Sequence, residues 1–139
     1  MNKHKLVVIN GDGGSRGNPG PAASGIVFSL PDGTVLGEYS RFLGHTTNNQ
    51  AEYDAVILAL ENLDRYPAES YYFYMDSKLV VEQLSGNWKV KHPDIKPLVA
   101  KILREISDKG LRVKFEHVLR DKNKSADAMV NQCLDAELL

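Results

Sequence analysis

Four acids fall where the pattern of the chain changes. Asp12 follows the apolar run Leu6-Val7-Val8-Ile9, Glu52 opens a long helical segment, Asp76 closes the run Tyr71–Met75, and Asp127 opens the last helical segment. If the first and fourth runs are adjacent parallel strands, Asp12 and Asp76 come side by side, where two carboxylates repel unless a cation lies between them. Hard divalent cations take oxygen ligands, commonly a few carboxylates with water and substrate phosphate. The histidines (His4, His45, His92, His117) and the single Cys133 are scattered without zinc spacing, so the donor set suits Mg²⁺ or Mn²⁺ rather than zinc. Each acid alone also has a plainer reading. Asp12 could make an Asx turn, Asp76 could cap the helix after it, and Asp127 could favour a helix dipole. It is their conjunction that argues for chemistry.

The elements that must position these acids can be read in order. Leu6–Ile9 is β-branched and apolar, as in a strand buried on both faces, and the run is expected to end at Asp12. Glycines 11, 13, 14, 17 and 20 and prolines 19 and 21 surround it, so a sharp turn is expected there. Ala22–Leu30 and Thr34–Leu43 flank Pro31-Asp32-Gly33 and read as an antiparallel hairpin. Thr47 and Gln50 have capping-box spacing, and Glu52, Val56, Ala59 and Leu63 share one face of the helix they open. Tyr71–Met75 is a fourth strand, Ser77–Leu84 a short helix, and residues 85–97 mainly a loop. Leu98–Lys109 is a helix, Leu111–Val118 a fifth strand, and Ala126–Leu138 the last helix. The order implies an α/β fold with a mixed sheet covered by helices.

With 139 residues, 42% of them hydrophobic, the chain suits one globular domain. No run approaches the ~20 apolar residues of a membrane span, and the N-terminal run of four is too short for a signal peptide. One cysteine excludes an internal disulfide and suits a reducing cytoplasm. The net charge is −1, so any attraction to nucleic acid must come from local patches.

DGGSRGNPGP at 12–21, TTNNQAEY at 46–53, MDSKLVVEQLSGNWKVK at 75–91 and LRDKNKSADAMVN at 119–131 together resemble the type 1 ribonucleases H. These enzymes cut the RNA strand of RNA–DNA hybrids. The motifs occur in the family's order and cover essentially the whole chain. The resemblance implies a five-stranded mixed sheet of order 3-2-1-4-5 and a metal-binding catalytic quartet at Asp12, Glu52, Asp76 and Asp127. It also implies two Mg²⁺ ions (Mn²⁺ substituting), with Asp12 bridging them, and products ending in 5′-phosphate and 3′-hydroxyl. Substrate contacts are expected from Gly13, Gly14, Ser15, Asn18, Asn48, Asn49, Gln50, Trp88, Lys89 and Arg120. A monomer without an organic cofactor is expected.

Glu52, the three amides and the 13–15 backbone are candidates for sensing the RNA 2′-hydroxyl, which both donates and accepts. Asn48 and Asn49 could instead be plain helix-start residues. The sequence departs from many relatives twice. The basic helical protrusion after the fourth strand is reduced to GNWKVKHPDIKP, where Trp88, Lys89 and Lys91 could touch DNA or Trp88 could plug the core. The loop after the fifth strand has no histidine; Arg120 is the nearer substitute, and His117 reads as structural. Rival readings are a hybrid-binding module that no longer cuts, a wider substrate range including double-stranded RNA, and a nucleotide-binding enzyme. The last lacks both a P-loop and a G-x-G-x-x-G opening a helix.

Overall fold

The computed structural model describes residues 3–139. Strands β1 (His4–Ser15), β2 (Gly20–Ser29) and β3 (Val35–Thr46) lead into helix α1 (Asn48–Asn62), which a single 3₁₀ turn (Leu63–Arg65) follows. Then come β4 (Ala68–Met75), α2 (Lys78–Leu84), α3 (Lys96–Asp108), β5 (Val113–His117), a second 3₁₀ turn (Arg120–Lys122) and α4 (Lys124–Glu137). The sheet order is β3-β2-β1-β4-β5, the expected 3-2-1-4-5. β1 pairs antiparallel with β2 and parallel with β4, and β4 pairs parallel with β5.

Two clusters of unequal size hold the layers. The larger joins Val7, Ile9, Ile26, Phe28 and Phe73 of the sheet to most of α1, with Val80, Leu84, Val99 and Ile102 completing it. The smaller, beneath α4, contains Ala23, Val130 and Leu134, with Cys133 against them. α1 is buried nearly all round because it lies between the sheet and α3, so Val56, Ala59 and Leu63 are covered as expected. Burial of the first strand is one-sided, contrary to expectation. Val7 and Ile9 are fully buried under α1, whereas Leu6 and Val8 are only partly covered.

β1 does not end at Asp12. Its pairing with β2 runs on through Gly13, Gly14 and Ser15, opposite Ser24, Ala23 and Ala22. The glycines there serve close approach rather than turning. A Cβ on Gly13 would lie 2.2 Å from the backbone carbonyl carbon of Ala51, so α1 can rest on the strand only if residue 13 has no side chain. The turn comes later, at Gly17 with φ +85°, and the Arg16 N–H closes the connection on Pro21 O at 2.8 Å.

Other boundaries move by a few residues where tertiary pairing overrides local signals. β3 reaches Thr46, β4 begins at Ala68, α3 begins at Lys96, and α4 begins at Lys124. The Thr47 hydroxyl caps α1 by accepting from the Gln50 N–H at 3.2 Å. The capping box is half formed, because the Gln50 side chain meets the Thr46 and Thr47 hydroxyls instead of the Thr47 backbone. Between α2 and α3, residues 85–95 contain turns and no helix, so the basic protrusion is absent.

Candidate active site

Parallel pairing of β1 with β4 ends with Gly11 opposite Met75, so the next residues, Asp12 within β1 and Asp76 just past β4, come to neighbouring positions. Glu52 joins them from the second turn of α1, and Asp127 from the first turn of α4. All four line one cleft of about 490 Å³, with Gly13, Gly14, Ser15, Arg16, Asn48, Arg120 and Asn131 among its other walls. Among the described residues, no three acids, histidines or cysteines are drawn to metal-ligating geometry.

The electrostatics are those of crowded acids. Asp12 is 9% exposed and accepts a hydrogen bond from the Gly13 N–H at 2.9 Å. Burial, then the charges of Asp76 and Glu52, push its pKa up to about 8 against that bond. Glu52 is raised to about 7, first by burial and then by Asp76, with the Ser77 hydroxyl relieving part of the effect. Its Oε2 is the one buried side-chain polar atom without a hydrogen-bond partner among the described residues. An orphaned buried carboxylate oxygen beside three further carboxylates is a donor set that fits hard divalent cations. Arg120 stands at the rim, 83% exposed and 3.9 Å from Asp127.

A second cleft, of about 410 Å³, meets the first at Asn48 and Glu52. Asn18, Thr47, Asn49 and Gln50 line it, facing His92, Asp94 and Ile95 of the α2–α3 loop. The first amide is well held. Asn48 Oδ1 accepts from Ser15 N–H at 2.8 Å and from Ser15 Oγ at 3.0 Å, while the Asn48 N–H donates to Asn18 Oδ1 at 3.1 Å. Asn48 therefore does more than start a helix, since it locks the 13–18 segment to α1. Trp88 and Lys89 line neither cleft. Trp88 is 43% exposed, with Lys78 Nζ 6.0 Å from its ring centre, so it is not a core plug. His117 ends β5 on the surface.

One residue escaped the sequence reading. Asn123 precedes α4 where a helix cap would stand, yet its side chain makes no capping bond. It is fully buried, donates from Nδ2 to Gly11 O at 2.9 Å and accepts from Asn10 Nδ2 at 3.0 Å. A single amide thus ties the strand carrying Asp12 to the helix carrying Asp127. With the last helix expected from Ala126, Asn123 fell in the polar loop before it, and nothing local marked it out.

This sheet, with one acid within β1, one just past β4 and two in the opening turns of α1 and α4, is the ribonuclease H-like fold. Residues 10–133 match the family model described as reverse transcriptase-like. The chain is 45% identical over 131 residues to the bifunctional protein Rv2228c of Mycobacterium tuberculosis, covering 94% of this chain and 36% of that protein. It is 42% identical over 129 residues to ribonuclease HI of Halobacterium salinarum, covering 89% of this chain and 62% of that one. Among solved structures, LC11-RNase H1 in complex with an RNA/DNA hybrid superposes with a TM-score of 0.91 at 42% identity, covering 96% of this chain and 99% of that chain. The chain belongs to the type 1 ribonuclease H family, and it spans about a third of the length of the Mycobacterium relative.

Proposed function

We propose that residues 1–139 act as one ribonuclease H domain that hydrolyses the RNA strand of RNA–DNA hybrids, leaving 5′-phosphate and 3′-hydroxyl ends. The observation that carries this reading is the convergence of Asp12, Glu52, Asp76 and Asp127 on one cleft, Asp12 buried and Glu52 half-buried with an unpartnered oxygen. These four would hold the two Mg²⁺ ions that the family resemblance implies, and Mn²⁺ would substitute for them. Bound there, the ions would supply an activated water and stabilisation of the leaving oxygen.

The chain's own groups do the rest. The Gly13 and Gly14 backbone and Ser15 line the strand side of the cleft, where they would flank a bound phosphodiester. Asn48 has its carbonyl oxygen committed to Ser15, so its amide N–H groups are left for the groove. Gln50 is placed alike, its Oε1 being taken by threonine hydroxyls, and Asn49 is exposed with both functions free. Donors from Asn48 and Gln50, with the Glu52 carboxylate as acceptor, suit a 2′-hydroxyl, which DNA lacks. The Arg120 guanidinium, at the rim beside Asp127, would steady negative charge at the scissile phosphate. Trp88 and Lys89, exposed on the α2–α3 loop, would give a small contact to the DNA strand in place of the missing protrusion. Cys133 is a free thiol, which fits a reducing cytoplasm.

Labelled RNA–DNA hybrid, duplex RNA and duplex DNA, each incubated with Mg²⁺, Mn²⁺ or EDTA, test this reading on a denaturing gel. The expected result is cleavage of the RNA strand of the hybrid with either metal and none in EDTA. Duplex RNA cut as fast as hybrid would replace the reading by a broader ribonuclease. Hybrid bound but never cut would replace it by a binding module.

A further inference from the structure

The rim of the acid cleft carries a cation that the chemistry above leaves unused. Arg16 lies in the connection between β1 and β2 and lines the same cleft as the four acids. Its Nη2 donates to Asp135 Oδ1 at 2.5 Å, and Asp135 stands on α4 eight residues, about two turns, beyond Asp127. The pair therefore ties the β1–β2 connection, at the edge of the cleft, to the helix that carries Asp127. It is a single-pronged contact between side chains 41% and 67% exposed, so it does little for the fold. Guanidinium groups bind phosphate through two parallel N–H bonds, and most of the Arg16 donors are uncommitted.

The charge balance gives this contact its meaning. Arg16 and Arg120 are the only basic residues lining a cleft that contains four acids, and Arg120 already faces Asp127. A polyanion entering here meets a negative wall and two cations, each already facing an acid of the same chain. We propose that Arg16 binds an RNA-strand phosphate next to the scissile one, and that Asp135 competes with that phosphate for the guanidinium. Substrate exchanges one ion pair for another and releases Asp135 to water. This inference rests on the ribonuclease reading above.

Arg16→Ala, Asp135→Asn and the double variant test it, because both side chains lie at the surface and their replacement leaves the core untouched. KM for labelled hybrid with Mg²⁺ is measured together with Kd by fluorescence anisotropy in EDTA over a range of salt. Arg16→Ala is expected to raise KM and Kd about fivefold and to flatten the log–log salt slope by about 0.7–0.9, one phosphate contact. Asp135→Asn is expected to lower both about threefold with kcat within twofold of wild type. In the double variant the gain should vanish, giving the Arg16→Ala values, since Asp135 acts only through Arg16. Were Asp135→Asn equally beneficial without Arg16, simple removal of a negative charge would explain it and the competition would be refuted. An unchanged KM in Arg16→Ala would remove the phosphate contact. In both cases a wild type that still cuts hybrid leaves the ribonuclease reading standing, whereas a wild type that neither binds nor cuts hybrid overturns both.

Discussion

Asp12→Asn is expected to lower turnover on hybrid by at least about a hundredfold while raising the melting temperature in EDTA. The kinetic loss follows from its position, since Asp12 is the most buried of the four acids and feels the charge of the other three. Removing one preorganised electrostatic partner from an active site costs about that much in rate. The gain in stability has the same origin. The amide keeps an oxygen for the Gly13 N–H but ends the repulsion by Asp76, Glu52 and Asp127. A pKa raised from 3.8 to about 8 implies a penalty on the order of 5 kcal/mol above that range. Neighbouring acids take up part of the relief, so on the order of 2 kcal/mol, roughly 5–10 °C, is expected. Kinetics with Mg²⁺ and melts in EDTA give the two numbers. More than a tenth of wild-type turnover would remove Asp12 from the ligand set. A variant less stable than wild type in EDTA would show Asp12 holding the fold through its hydrogen bond.

Stability of the metal-free protein should fall between about pH 5 and pH 8, by on the order of 3 kcal/mol. The sign comes from linkage. Both Asp12 and Glu52 have native pKa values, about 8 and about 7, above their unfolded values of 3.8 and 4.5. Between those limits the native state binds more protons than the unfolded state, so raising the pH favours unfolding. Below about pH 4 both states are protonated and the effect is absent. Above about pH 8 it is fully developed. Each tenfold difference in proton affinity between the two states is worth about 1.4 kcal/mol, and two sites acting independently would give considerably more than about 3 kcal/mol. They are not independent, since protonating one acid relieves the other. Saturating Mg²⁺ should flatten the curve by favouring the charged native site. Melting temperatures in EDTA that stay level or rise from pH 5 to pH 8 would show that these carboxylates are not strained in the native state.

What the sequence made legible is what acts locally. The turn between the hairpin strands, the threonine cap of α1 and the acids in the opening turns of α1 and α4 follow from neighbouring residues, and the sheet order then follows from the resemblance. What it hid acts through space. Glycine marks both turns and close approaches, so Gly13 and Gly17 look alike until Ala51 is found against one of them. Asn123 sits where a cap would, and only the proximity of Gly11 O shows that its amide serves β1. Arg16 and Asp135 lie 119 residues apart, beyond any periodicity. Trp88 was open to two readings because a lone tryptophan in a loop says nothing about whether the loop folds inward.

The unequal division of the apolar core has a consequence for how the molecule comes apart. α1 shares the large cluster with the sheet, whereas α4 buries only Ala126, Val130 and Leu134 and is clipped to β1 by Asn123. Elements with few buried contacts open by local fluctuation at free energies well below that of global unfolding. Asp127 would leave with such an opening, and the other three acids would stay in place. Amide hydrogens of α4 should then exchange faster than those of α1, and catalytic activity should fade on warming before the main thermal transition. Equal protection in the two helices would show that α4 unfolds only with the whole. The cleft thus has three walls belonging to the rigid body of the protein and a fourth that behaves as a door.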